Sequence, residues 1–212
     1  GLEMGRYGEY KALAGGTTTI QGGGALNRGL APGKYGKFQE LPGGSPPLFG
    51  TSVSTVTARE ECLVRNVEYS RVESRVATSR VDIGNSAKSW AEMQAEKAKG
   101  LLVVHLAEGA SSRMAGEFNS VKDSGLLGPE LIAIHGVGLT EPQLIEMAKV
   151  GAKLVWSPLS NFMLYGKTAN VAAAKRAGLS ISLAPDWAPS GSKSVLGELK
   201  VADLVNKHAL NG

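Results

Sequence analysis

Between residues 101 and 209, four apolar runs of strand length alternate with amphipathic helical patterns, and this rhythm constrains the fold more than any other feature of the chain. The runs are Leu101 to Val104, Leu131 to Ile134, Lys153 to Trp156 and Ser180 to Ala184. Helical patterns follow near Glu117 to Lys122, at Thr140 to Lys149, at Thr168 to Ala177 and at Ser194 to Ala209. Thr140 and Pro142 mark a helix start, and Gly151 and Gly178 mark helix ends. Strands that alternate with helices demand a parallel sheet, because a helical crossover returns the chain to run in the same direction. Each run leads into polar residues: His105-Leu-Ala-Glu108, His135-Gly136, Ser157-Pro-Leu-Ser-Asn161 and Asp186-Trp187. On a parallel barrel those positions share one rim, the face on which such folds carry chemistry.

The first hundred residues are less regular. Tyr7 to Ala14 has a helical pattern closed by Gly15-Gly16, and Thr17-Thr-Thr-Ile20 is β-branched, so helix, cap and strand are expected in that order. Gly22 to about Thr57 is rich in Gly and Pro without a sustained period and reads as a long irregular loop. Cys62 to Val67 and Arg80 to Ile83 are candidate strands, and Lys88 to Lys99 is a candidate amphipathic helix ending at Gly100. Seven strands result, one short of eight. The expected fold is α/β: an incomplete (β/α)8 TIM barrel, one partial barrel domain spanning residues 1–212 with residues 22–57 as the loop.

Composition narrows the function classes. No apolar stretch approaches the roughly 20 residues needed to cross a bilayer, and no basic segment precedes an apolar core at the N-terminus, so a cytoplasmic protein without membrane partners is expected. Cys62 is the single cysteine, which excludes an intrachain disulfide and fits a small buried residue in a strand. The net charge of +4 comes from 23 basic and 19 acidic residues scattered along the chain, without the aromatic interleaving of a nucleic-acid surface. The expected partner is a small molecule.

His105 and Glu108, three apart at a strand end, suit a metal ligand beside a proton carrier; a core histidine with a surface glutamate is an equal alternative for the pair alone. His135 alone reads as structural, and Asp186 alone as a turn residue. Jointly they read differently, since two of the chain's three histidines, with Glu108 and Asp186, all fall at C-terminal strand ends. His208 falls in the last helix and reads as a surface residue.

At these residues the sequence resembles the metal-dependent amidohydrolase superfamily, in the branch of cytosine and guanine deaminases, S-adenosylhomocysteine-type deaminases and triazine chlorohydrolases. The resemblance runs from Leu13-Ala-Gly-Gly-Thr-Thr-Thr19 through His105-Leu-Ala-Glu108, His135-Gly136 and Trp156-Ser-Pro-Leu-Ser-Asn161 to Asp186-Trp-Ala-Pro-Ser-Gly-Ser192. It implies one divalent metal, zinc first with iron or manganese as alternatives, held by His105 and Asp186. It also implies catalytic roles for Glu108 as proton shuttle, for His135 as the group that orients the reacting centre, and for Asp186 as acceptor of a proton from water. Asn161 and Trp187 are expected to bind substrate, with Ser157 and Tyr165 supporting or lining the pocket. The implied reaction is hydrolysis of a C–N or C–Cl bond in a cyclic amide, amidine or aminated heterocycle.

The family's first-strand His-x-His does not occur in this sequence, and neither does its small β domain, so barrel strands two to eight are expected. The isolated chain is expected to be truncated at both ends and inactive. No lysine ends Arg80 to Ile83, so a single-metal site is expected rather than a lysine-bridged pair. Two alternatives remain open: a non-catalytic barrel-derived binding or assembly protein with remnant site residues, and a homo-oligomer in which a second copy pairs with the edge beside Thr17 to Ile20.

Overall fold

The computed structural model describes residues 7, 10–17, 19–20, 65–66, 73–77, 100–186 and 189–209. The chain divides into two compact units, Gly1–Val72 and Glu73–Gly212.

In the first unit, residues 10–14 are helical, as their pattern suggests. The helix closes by paired backbone bonds, Thr17 N–H to the Ala12 carbonyl at 2.9 Å and Gly16 N–H to the Leu13 carbonyl at 3.0 Å, with Gly16 left-handed at φ 84°. Strand β1 (Thr19–Ile20) then pairs in parallel with β2 (Arg65–Asn66), Thr19 opposite Arg65. The expected loop, residues 22–57, and Cys62 lie outside the described residues.

The second unit holds a five-stranded parallel sheet: β3 (Glu73–Ala77), β4 (Gly100–Leu106), β5 (Leu131–His135), β6 (Lys153–Trp156) and β7 (Ser180–Leu183). The strands neighbour one another in chain order. That order lacks the reversal of an open doubly wound sheet and is the order of a barrel wall. Leu102, Val103 and Val104 are consecutive and all buried, which requires cover on both faces of β4. Against the sheet pack α1 (Ala115–Asp123), α2 (Glu141–Lys149) and α4 (Val171–Arg176), inserting Phe118 and Val121, Leu144 and Met147, and Val171, Ala173 and Ala174. Two further helices are α3 (Pro158–Tyr165) and α5 (Val195–Ala209).

One local device repeats. After α1, α2 and α4 a glycine at φ 69°, 77° or 74° (Gly125, Gly151, Gly178) reverses the chain, and the next residue (Leu126, Ala152, Leu179) bonds back five positions and buries its side chain. Helix, left-handed glycine and apolar anchor thus deliver the chain toward the sheet each time.

Two differences from the sequence pattern concern the site. The strand beside β4 is Glu73–Ala77, in register Glu73 to Gly100; Arg80 to Ile83 and Lys88 to Lys99 lie outside the described residues. The polar residues after β6, for which the sequence pattern indicated no helix, begin the helix α3.

Candidate active site

Strand β4 carries His105 one residue before its end, and β5 ends at His135. The sheet register sets His105 opposite Ile134 and Leu106 opposite His135, which brings the two imidazoles to 5.1 Å between ring centres at 44°. Glu108 arrives from the turn after β4, its Oε1 at 3.5 Å from His135 Nε2. Donor atoms of His105, Glu108 and His135 all lie within 4.8 Å of one another. Two imidazole nitrogens and a carboxylate form a donor set suited to zinc, iron or manganese, so these residues fit the divalent ion that the sequence implies.

The backbone at these strand ends is unusual. Among the described residues, the non-glycine positions with positive φ are Ala107 at 53°, His135 at 73° and Asp186 at 65°. Each is on or just after a strand whose end carries a candidate site residue, and strained backbone of this kind concentrates at functional sites. The strain is held by specific bonds. Buried Glu117 of α1 accepts the Ala107 N–H at 2.8 Å, and the Ala107 carbonyl accepts Gly138 N–H at 2.9 Å. Gly136, at φ 63°, also sits where a Cβ would meet Leu154 Cδ1 at 2.9 Å, so a side chain is excluded on two counts.

Helix α3 holds the candidate residues in place. Ser160 donates to Asp186 Oδ2 at 2.5 Å, Asn161 Oδ1 meets His135 Nδ1 at 3.1 Å, and Tyr165 donates to Glu108 Oε1 at 2.8 Å. Each contact goes to a different expected catalytic residue. The start of α3 is fixed by Glu198 of α5, fully buried, whose Oε1 accepts Leu159 N–H at 2.7 Å and whose Oε2 accepts Ser192 N–H at 3.3 Å. A carboxylate at a helix N-terminus also meets the positive end of its dipole.

Burial raises the Tyr165 phenol to about 12, helped by its hydrogen bond to Glu108 and by the negative charges of Glu108 and Asp186. The hydroxyl therefore stays protonated and donates at neutral pH. That one phenol feels both carboxylates ties Asp186 to the same locality, although Asp186 is exposed and falls outside the group formed by His105, Glu108 and His135.

Asn161, expected to bind substrate, is fully buried, and its amide bonds protein groups at both ends, His135 and the Thr168 hydroxyl at 3.2 Å. Trp187 lies outside the described residues. His208 is exposed on α5. Sequence reasoning did not single out Glu117, Ser160, Thr168 or Glu198. A signal for one link was present, since Asn161 and Tyr165 stand four apart after Pro158, a spacing that places both on one face of a helix.

No family model matches the chain. It is 27% identical over 137 residues to a 5-methylthioadenosine/S-adenosylhomocysteine deaminase of Thermococcus sibiricus, covering 58% of this chain and 31% of the relative. With the corresponding deaminase 1 of Archaeoglobus fulgidus it shares 37% identity over 90 residues, 42% of this chain and 21% of the relative. The chain thus spans less than a third of these curated relatives. Among solved structures, an adenosine deaminase from Xanthomonas campestris with bound zinc superposes with a TM-score of 0.57 at 18% identity, over 79% of this chain and 40% of its own. That likeness shows the fold, a partial TIM barrel.

Proposed function

We propose that the chain is part of a metal-dependent amidohydrolase and carries part of the active site of a hydrolase acting on a C–N bond of an aminated heterocycle, a reading supported by its likeness to the deaminase relatives. The observation that carries this reading is the convergence of His105, Glu108 and His135 at the C-terminal ends of adjacent strands. In this reading β3 to β7 are barrel strands four to eight. The named deaminase relatives favour an amino-substituted purine nucleoside, and the same residues would serve a cyclic amide, an amidine or a chlorinated ring.

His105 and Asp186 would hold one divalent ion, zinc first, with Glu108 and His135 beside it. When bound, the ion supplies a water whose pKa is lowered toward neutrality. Glu108 carries a proton to the ring nitrogen or the leaving group, while Tyr165 keeps Oε1 oriented by donating to it. Asp186, held by Ser160, accepts a proton from the attacking water. His135 presents Nε2 toward Glu108 and orients the reacting centre. The described residues include no helix long and apolar enough to cross a membrane.

Zinc uptake by the purified chain, followed by ammonia release from 5-methylthioadenosine, tests the reading. About one zinc ion per chain is expected, with uptake at least tenfold weaker in His105→Ala. Turnover by the chain alone is expected to be slow or absent, because the sequence lacks His-x-His, so uptake is the deciding arm. Uptake indifferent to His105→Ala would overturn the reading.

A further inference from the structure

His135 is 1% exposed and Asn161 not at all, so the bond between them is made out of water, where its polarity decides which imidazole nitrogen carries the proton. Among the described residues, two acceptors compete for that proton. Asn161 Oδ1 lies at 3.1 Å from Nδ1, inside hydrogen-bond range. Glu108 Oε1 lies at 3.5 Å from Nε2, beyond it, and already accepts the Tyr165 hydroxyl at 2.8 Å. The shorter contact and the unshared acceptor both favour the proton on Nδ1.

The orientation of the Asn161 amide is itself anchored. Trp156 Nε1 can only donate and does so to Thr168 Oγ1 at 2.6 Å, and Asn161 Nδ2 donates to the same oxygen at 3.2 Å. The amide nitrogen thus faces Thr168, and Oδ1 faces the imidazole. Thr168 Oγ1 accepts from both Trp156 and Asn161, and Asn161 Oδ1 is the acceptor turned toward His135.

We propose that Asn161 is a positioning residue that locks His135 as the Nδ1–H tautomer, leaving Nε2, on the side of Glu108, as the ring's acceptor nitrogen. Partners of a working histidine's far nitrogen serve this purpose in metal and acid–base sites. Any effect on turnover rests on the hydrolase reading above; the tautomer does not. The proposal moves Asn161 from contacting substrate to orienting the group that does.

The test is long-range nitrogen–proton correlation NMR on the isotopically labelled full chain, at a pH where the ring is neutral, with His135→Gln identifying the resonances. The wild type is expected to carry the proton on Nδ1. Asn161→Asp keeps an acceptor and is expected to retain that tautomer, whereas Asn161→Leu is expected to move the proton to Nε2. A wild-type ring protonated on Nε2, an Asn161→Asp ring protonated there, or an Asn161→Leu ring still protonated on Nδ1 would each overturn the proposal. If Asn161→Leu does not fold, the wild type and Asn161→Asp decide. Zinc uptake is scored separately, so a wrong tautomer with intact uptake removes only this inference, and the expected tautomer without uptake removes only the hydrolase reading.

Discussion

The strand ends and helix α3 divide the work of the site between them. Side chains able to bind a metal or move a proton stand at the ends of β4, β5 and β7, on backbone that includes three non-glycine residues with positive φ. The side chains that fix them, Ser160, Asn161 and Tyr165, stand on one short helix in ordinary helical geometry. The difference teaches where specificity of position comes from: the strands set the address of each reactive group, and α3 sets its orientation. The carboxylates follow the same division. Buried Glu117 accepts the Ala107 N–H and buried Glu198 the Leu159 and Ser192 N–H groups, whereas half-buried Glu108 faces an imidazole and a phenol.

Several substitutions would break or sharpen that contrast. The largest effect is expected from Glu198→Ala, which leaves Leu159 N–H and Ser192 N–H without their acceptor at a fully buried position and should cost roughly 3 kcal/mol. Urea unfolding reads it, and an unchanged midpoint would mean that α3 is not held from α5. On the strand side, Gly138→Ala places a Cβ 2.5 Å from Met114 Cβ, and overpacking of this kind should cost about 2 kcal/mol by the same assay. Loss confined to Glu198→Ala would show that the strand-end turns yield more easily than the helix.

Tyr165→Phe should cost about 1 kcal/mol at neutral pH through the lost bond to Glu108. It also has a pH signature with a definite sign. Burial pushes the folded phenol up to about 12 from its usual 10.0, so the folded state holds the proton more tightly. Its contribution is complete below pH 10 and is lost as pH rises toward 12. Unfolding free energy of the wild type should therefore fall across that window more than that of Tyr165→Phe. Parallel curves would remove Tyr165 from the site. The smallest effect is expected from Arg176→Ala, whose exposed pair with Glu141 at 2.9 Å should be worth less than about 0.5 kcal/mol.

How far the sequence revealed this arrangement depended on whether burial followed apolar character. It did for β4 to β7, α1, α2 and α4, where strand-length apolar runs and glycine stops lie close to the observed boundaries. It did not for α3, whose pattern is inverted. Its buried residues are Pro158, Ser160 and Asn161, while Phe162, Met163 and Leu164 are exposed, so a reading that seeks apolar residues on the core side sees no helix. Strand β3 was equally hidden, since Glu-Ser-Arg-Val-Ala contains one β-branched residue in five. Within the site, polar residues at strand ends were legible because the fold places chemistry there. Of their partners, Asn161 and Tyr165 were named only as pocket residues, and Ser160 and Glu198 were not legible, because a buried hydrogen-bonding serine or glutamate looks in sequence like any surface residue.

The most direct test of the account is equilibrium binding of zinc to the purified chain and to its His105→Ala, Glu108→Gln and Asn161→Asp variants. Saturation near one ion per chain is expected, with binding weakened at least tenfold in His105→Ala, weakened less in Glu108→Gln and retained in Asn161→Asp. Absence of binding, or binding equal in all four proteins, would contradict the claim that the strand ends gather a metal-dependent centre.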